Sequence, residues 1–275
     1  MGHDDHAIYL RRIRLSDGAI EPTVEGLGRL QAAQMRSIAF ENIDVFLGQV
    51  PDLGEAALWN RLVLGRRGGY CLELNGLFAR ALAAQGFQAV EILGRVRMGA
   101  ASGGPRVHHA LVVDIAGEEW LADTGFGGPG PVGPVSLSRG GPQVIGGDTF
   151  RVRKDGSTGE HVLERLNGDE WFSLYGFDRV PVTAPDFAAA NVVCARWELS
   201  PFPNHLMMTI ATPEGRVSVF DRSVRRVLGG RPESREIGSL SELLTLFVDV
   251  FGLDVEPGVA EAVWRRLDMA GARAA

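Results

Sequence analysis

The chain reads as an α+β protein, and three observations predict this. Apolar residues recur at helical spacing through about the first 85 positions, short β-rich runs occupy Phe87 to about Met208, and helical patterns return at the end. Helices segregated from strands, rather than alternating with them, argue for α+β over a doubly wound sheet.

Each segment has local grounds. After Pro22, the residues Val24, Leu27, Leu30 and Ile38 keep an approximate helical period. Asp52 and Glu55 resemble a capping box ahead of Leu58 and Leu62. A further helix runs from Leu72 to Ala84, with Leu74, Leu77, Phe78 and Leu82 on one face and Gly86 as its stop. Strand-like runs follow at Val90–Val96, Val107–Ile115, Glu119–Asp123, Phe150–Arg153, His161–Leu166 and Trp171–Tyr175. Gly125–Gly147, rich in Gly and Pro, is expected to be a long ordered loop. Asn191–Ala195 reads as an apolar strand-like run that makes Cys194 structural. Leu206–Ala211 and Arg216–Asp221 form a hairpin around Pro213–Gly215. Two helices close the chain. The first runs from about Leu240 to Phe251, with Ser239 and Glu242 as a capping box and Gly252 as its stop, and the second from Pro257 to about Met269.

Composition excludes several classes. At 275 residues and 45% hydrophobic, the chain can bury a full core. A formal net charge of −6 leaves no electrostatic footprint for nucleic acid. No run approaches the roughly 20 apolar residues of a membrane helix, and the start lacks the basic and apolar regions of a signal peptide. Two cysteines in a chain of this size read as cytoplasmic thiols, not a disulfide framework. His3 and His6, with Asp4 and Asp5, read as a mobile polar terminus and not a metal site.

The most informative stretch is Arg67-Gly68-Gly69-Tyr70-Cys71. The Gly-Gly step allows a tight turn close to another group. A cysteine in the first turn of the following helix meets unpaired N–H groups and the positive end of the helix dipole, both of which favour thiolate. A free cysteine is equally at home as a small buried hydrophobe, so the decision falls to residues downstream. There, His108 and His109 open one strand and Asp123 closes the next, with a turn at Gly117 between them. Such a hairpin brings its two outer ends together. A histidine that can take a thiol proton and a carboxylate that can orient it thereby become neighbours.

Three motifs carry a family resemblance: Phe40–Asp44, Arg67–Phe78 and Trp120–Gly127. Their order and spacing resemble the arylamine N-acetyltransferases over roughly the first half of the chain. The resemblance implies a helical bundle (1–86) carrying the nucleophile, an antiparallel β-barrel (87–190) carrying His and Asp, and a C-terminal α/β lid (191–275). It implies Cys71 as the acyl-accepting nucleophile, Asp123 as the orienting carboxylate and a Glu41–Arg67 ion pair supporting the site. Aligning the strand with the family pattern selects His108 over His109, and since a one-residue slip turns a side chain to the opposite face, only one of the two can serve. Phe126 is implied as a wall of the acceptor pocket. Gly127, Phe40 and Phe202 join it as substrate-binding residues, Phe202 with core packing as its equal alternative.

The implied reaction is ping-pong acetylation of an arylamine or hydrazine by acetyl-coenzyme A as co-substrate, with no metal. An amide synthase that takes its acyl chain from a carrier protein shares the same triad and remains the alternative. A papain- or transglutaminase-like hydrolase, or a silent binding module on the same fold, is the third class. A zinc site built from Cys71, His108 and Asp123 lacks the close Cys or His pair that would anchor it.

Overall fold

A computed structural model of the chain describes residues 3–16 and 20–274. The helical part comprises α1 (His3–Arg12), α2 (Val24–Ser37), α3 (Ile43–Phe46), α4 (Glu55–Leu58) and α5 (Cys71–Ala84), with one short strand, β1 (Phe40–Glu41), before α3. Thr23 caps α2, its Oγ1 accepting from Gly26 N at 3.1 Å. Gln85 ends α5 and Gly86 follows in the left-handed region, at φ +81°.

An eight-stranded antiparallel sheet follows: β2 (Gln88–Val96), β3 (His108–Ile115), β4 (Glu118–Ala122), β5 (Val135–Ser136), β6 (Gln143–Ile145), β7 (Asp148–Lys154), β8 (His161–Asn167) and β9 (Glu170–Phe177). In space the order is β5-β4-β3-β2-β9-β8-β7-β6, which curls into a nearly closed barrel around Val112, Phe150, Leu163 and Phe177. Helix α6 (Ala184–Arg196) then leads to a second sheet of β10 (Met207–Thr212), β11 (Gly215–Phe220), β12 (Ser223–Leu228) and β13 (Arg231–Glu236). Strand β1 is the fifth member of that sheet, with Phe40 opposite Thr209 and Glu41 opposite Met208. Helix α7 (Leu240–Thr245), the π-helical turn Leu246–Val250 that continues it and helix α8 (Pro257–Ala274) cover the second sheet through Leu243, Phe247, Phe251 and Val263.

The α+β class and the antiparallel barrel are as the sequence indicates; four local expectations are corrected. Asn191–Ala195 is not a strand but the end of α6. The start signal lies at Thr183, whose N–H and hydroxyl both donate to Asp186 Oδ2 at 2.7 Å. The β-branched pair Val192-Val193 hides the helix from a short window. Gly125–Gly147 is not all loop, because β5 pairs with β4 and β6 pairs with β7. Asp52 and Glu55 form no capping box. Asp52 Oδ1 accepts from Gly54 N at 2.8 Å instead, Gly54 caps α4, and the helix widens into a π-helical turn at Trp59–Leu64. His3–His6 belong to α1, and His6 hydrogen-bonds Gln85; Met1 and Gly2 lie outside the described residues.

Two features set up the site. A Cβ on Gly68 would lie 2.2 Å from the Ala39 carbonyl oxygen, which no side chain tolerates. Gly69 bridges to Phe40, and Glu41 N donates to Gly69 O at 2.9 Å. The Gly-Gly step is therefore required by close approach; the left-handed residue of this turn is Arg66, at φ +49°. Helix α5 also packs against β3 and β2, which brings its first residue to the mouth of the barrel.

Candidate active site

Cys71 is the first residue of α5 and is buried, its Sγ 3.8 Å from the carbonyl oxygen of Val107. Glu73 closes the same helix end, its Oε2 accepting from Tyr70 N at 3.1 Å. Asp123 follows β4 and His108 opens β3, and the pairing of Leu111 with Ala122 brings these ends together. His108 Nε2 lies 2.7 Å from Asp123 Oδ2. With Nε2 taken, Nδ1 is the nitrogen left for Cys71, whose thiol the imidazole hydrogen-bonds.

Burial alone would make His108 less basic, but the adjacent Asp123 carboxylate outweighs it and pushes the imidazole up to about 10. Asp123 moves the other way. Burial opposes its charge, yet His108, Asn75 and the Gly125 N–H hold the carboxyl below its usual range. Its Oδ1 accepts from Asn75 Nδ2 at 2.9 Å and from Gly125 N at 2.8 Å. At neutral pH the pair is therefore a buried carboxylate and imidazolium.

The linkage gives a sign. A raised histidine stabilises the fold fully below about pH 6.5 and loses that contribution as pH rises toward 10. A depressed carboxyl stabilises above about pH 4 and loses its contribution on acidification. The stability gap between wild type and His108→Gln in urea unfolding should peak at about pH 5–6 and shrink by about pH 9. A gap that widens toward pH 9 would mean the pair is not charged.

His109 occupies the other face of β3. Its Nε2 is 2.9 Å from Glu91 Oε2, and its ring packs on Phe187 with centroids 4.6 Å apart. Although it is as buried as His108, it faces away from Cys71, as the two-residue strand period requires.

Phe40, Phe126, Gly127 and Phe202 gather around a cavity of about 590 Å³ that Cys71 and His108 also line, with the Glu41–Arg67 pair outside its lining. Phe126 stands edge-on to His108 with centroids 5.1 Å apart. Gly127 takes φ +80°, and a Cβ there would meet the Phe40 ring at 2.7 Å. Phe202 packs on Phe40 and, edge-on, on Tyr70. Arg67 Nη2 pairs with Glu41 Oε1 at 2.9 Å.

That ion pair is part of a larger network that sequence reasoning missed. Arg61, from the π-helical turn, reaches Glu41 at 3.0 Å, Glu73 at 3.0 Å, and Asp44, while Arg67 also meets Asp44 at 3.0 Å. Burial pushes Glu73 up to about 7 despite Arg61. Asn75 was missed as well. One turn after Cys71, it holds Asp123, the His109 carbonyl at 2.7 Å and Thr124 N at 2.9 Å. Its i+4 spacing from the cysteine was the available signal. Tyr175, whose ring lies 4.5 Å from that of His108, comes from β9 and had none.

An N-acetyltransferase family model matches residues 23–260. The chain is 38% identical over 247 residues to the arylamine N-acetyltransferase / N-hydroxyarylamine O-acetyltransferase of Salmonella typhimurium, covering 88% of this chain and 87% of that protein. It belongs to the arylamine N-acetyltransferase family. The solved arylamine N-acetyltransferase structure from Salmonella typhimurium superposes with a TM-score of 0.90 at 33% identity, over 96% of this chain and 99% of that one. A Mycobacterium marinum arylamine N-acetyltransferase in complex with CoA superposes with a TM-score of 0.86 at 31% identity, covering 95% and 98%. The chain is thus an acyltransferase by family. No helix among the described residues is long and apolar enough to cross a membrane.

Proposed function

We propose that Cys71, His108 and Asp123 carry out acetyl transfer from acetyl-coenzyme A to an aromatic amine or hydrazine through an acetyl-cysteine. The observation that carries this reading is the His108–Asp123 contact of 2.7 Å beside a buried cysteine at a helix start. His108 holds the proton as an imidazolium, and the Cys71 sulfur attacks the thioester carbonyl as a thiolate. The C–S bond to coenzyme A breaks, and the departing thiolate takes the proton from the imidazolium. The amine then attacks the acetyl-cysteine, His108, left neutral by the first step, removes the amine proton, and Cys71 leaves as a thiolate, which restores the imidazolium. Asp123 holds the ring in position and balances its charge.

The aromatic surround of the cavity, Phe40, Phe126 and Phe202, suits a flat acceptor ring. The relatives named above and the CoA complex favour a coenzyme A donor, and they lend nothing to the carrier-protein alternative. Reduced thiols and this donor go with a cytoplasmic setting.

Intact-protein mass spectrometry after brief exposure to acetyl-coenzyme A, without amine, tests the reading. One acetyl group should appear, map to Cys71 and discharge when an arylamine is added. His108→Gln should give no adduct, whereas His109→Gln should still be acetylated. An acetylated His108→Gln beside an unreactive His109→Gln would reverse the assignment of the base.

A further inference from the structure

Cys194 takes no part in that chemistry, yet it lies beside the cysteine that does. The chain has two cysteines, both free and both buried, at 4% exposure for Cys71 and 2% for Cys194. They come from different helices, α5 and α6, and their Sγ atoms approach the same acceptor. Val107 O lies 3.8 Å from the Cys71 sulfur and 3.9 Å from that of Cys194. Both residues also line the same cavity, through which a small reagent can reach them.

We propose that Cys194 is a resolving thiol: a hydroperoxide that oxidises Cys71 is followed by a Cys71–Cys194 disulfide, a reversible off-state that spares the nucleophile from irreversible oxidation. This rests on the reading of Cys71 as the reactive thiol. The two sulfurs have complementary surroundings. Cys71 faces His108, which holds a proton as an imidazolium. Burial holds the Cys194 thiol well above its ordinary value, so it stays protonated and is not the first to react.

The electrons and protons balance. The Cys71 sulfur attacks the terminal oxygen of the hydroperoxide, the O–O bond breaks, and the alkoxide or hydroxide takes the proton held by His108. This leaves Cys71 as a sulfenic acid. The Cys194 sulfur then attacks that sulfur. The S–O bond breaks, and the hydroxide leaves as water with the Cys194 proton. Two electrons from the two thiols have reduced the peroxide bond. To reach the ~2.05 Å of a disulfide, both side chains turn from Val107 O toward each other; each gives up a weak S–H···O contact, and Cys71 also gives up its interaction with His108.

The test uses the full chain, reduced, then treated with a small excess of hydrogen peroxide and alkylated with iodoacetamide. Wild type should lose activity and the mass of two hydrogen atoms, take up no alkyl group at either cysteine, and yield a peptide joining Cys71 to Cys194. Dithiothreitol should restore its activity. Cys194→Ala, normalised to its own activity before oxidation, should also be inactivated, carry sulfinic acid at Cys71 and recover several-fold less. Oxidised wild type that still alkylates at Cys194, or recovers no better than the variant, overturns the proposal. Wild type whose Cys71 resists peroxide overturns it too. If Cys194→Ala does not fold, the wild-type alkylation pattern decides alone. Acetylation of the same reduced sample by acetyl-coenzyme A separates the two readings. Its absence would remove the transferase assignment of Cys71, whereas acetylation without a disulfide would remove only the resolving role.

Discussion

Cys71→Ser should reduce acetyl transfer by roughly 10⁴–10⁶-fold, the scale seen when a covalent nucleophile is removed, while the protein stays folded. The side chain points into a cavity beside His108, and its contacts, with Val107 O and the His108 ring, are ones a hydroxyl can also make. Serine is slightly smaller than cysteine, so packing at the start of α5 changes little. The chemistry changes a great deal, because an imidazole near pKa 10 is far too weak a base to hold an alkoxide in the way it can hold a thiolate. Steady-state rates, a thermal melt and the intact mass after acetyl-coenzyme A check this together. An unaltered melting temperature with no acetyl adduct is the expected pattern. Retained turnover, or an adduct on another residue, would end the assignment of Cys71 as nucleophile.

Asp123→Asn should lower kcat/KM by about 10⁴-fold, the loss found when the orienting carboxylate of a triad becomes an amide, and it should also reduce stability. Three donors converge on this carboxylate: the His108 ring nitrogen, Asn75 Nδ2 and Gly125 N. An asparagine offers one acceptor oxygen and brings an NH₂ of its own. At least one buried donor then loses its partner, at a cost of about 1–3 kcal/mol. The imidazole also loses the charge that keeps it protonated beside the thiol. Paired kinetics and urea denaturation read both effects. Activity within tenfold of wild type would show that Asp123 neither orients nor charges His108.

Much of the site was legible because its signals are local. The helix carrying Cys71 announces its start, the glycine pair and its apolar face within a few neighbouring residues, and it begins at Cys71. The choice of His108 over His109 comes from the family pattern, with the two-residue strand period allowing only one of them to serve, and the structure puts them on opposite faces. The glycine pair reads as a tight turn close to another group, and the close approach is what the structure shows. What the structure adds is the identity of the neighbours, Ala39 O and Glu73 at positions 68 and 69, and that the left-handed residue of the turn is Arg66.

Other features were beyond any local window. Tyr175 reaches His108 from β9, and β1 pairs with β10 across most of the chain, and neither has a nearby residue to announce it. Arg61 could not be placed because a π-helical turn rotates its side chain off the α-helical period. Asn191–Ala195 reads as a strand because Val192-Val193 outweighs the distant start signal at Thr183 and Asp186.

By itself, the sequence determined the chemistry available to this protein: a helix-start cysteine, a strand-start histidine and a carboxylate at the far end of the returning strand. Turn, cap and alternation signals act between residues a few positions apart, so they survive in a linear reading. Only the tertiary structure decided which groups share a volume: Asn75 and Gly125 on Asp123, Arg61 among three carboxylates, and Cys194 against the same carbonyl as Cys71. Those contacts depend on how helices close over a curled sheet. That path is set by the summed burial of the whole core, and no short stretch of the chain carries it.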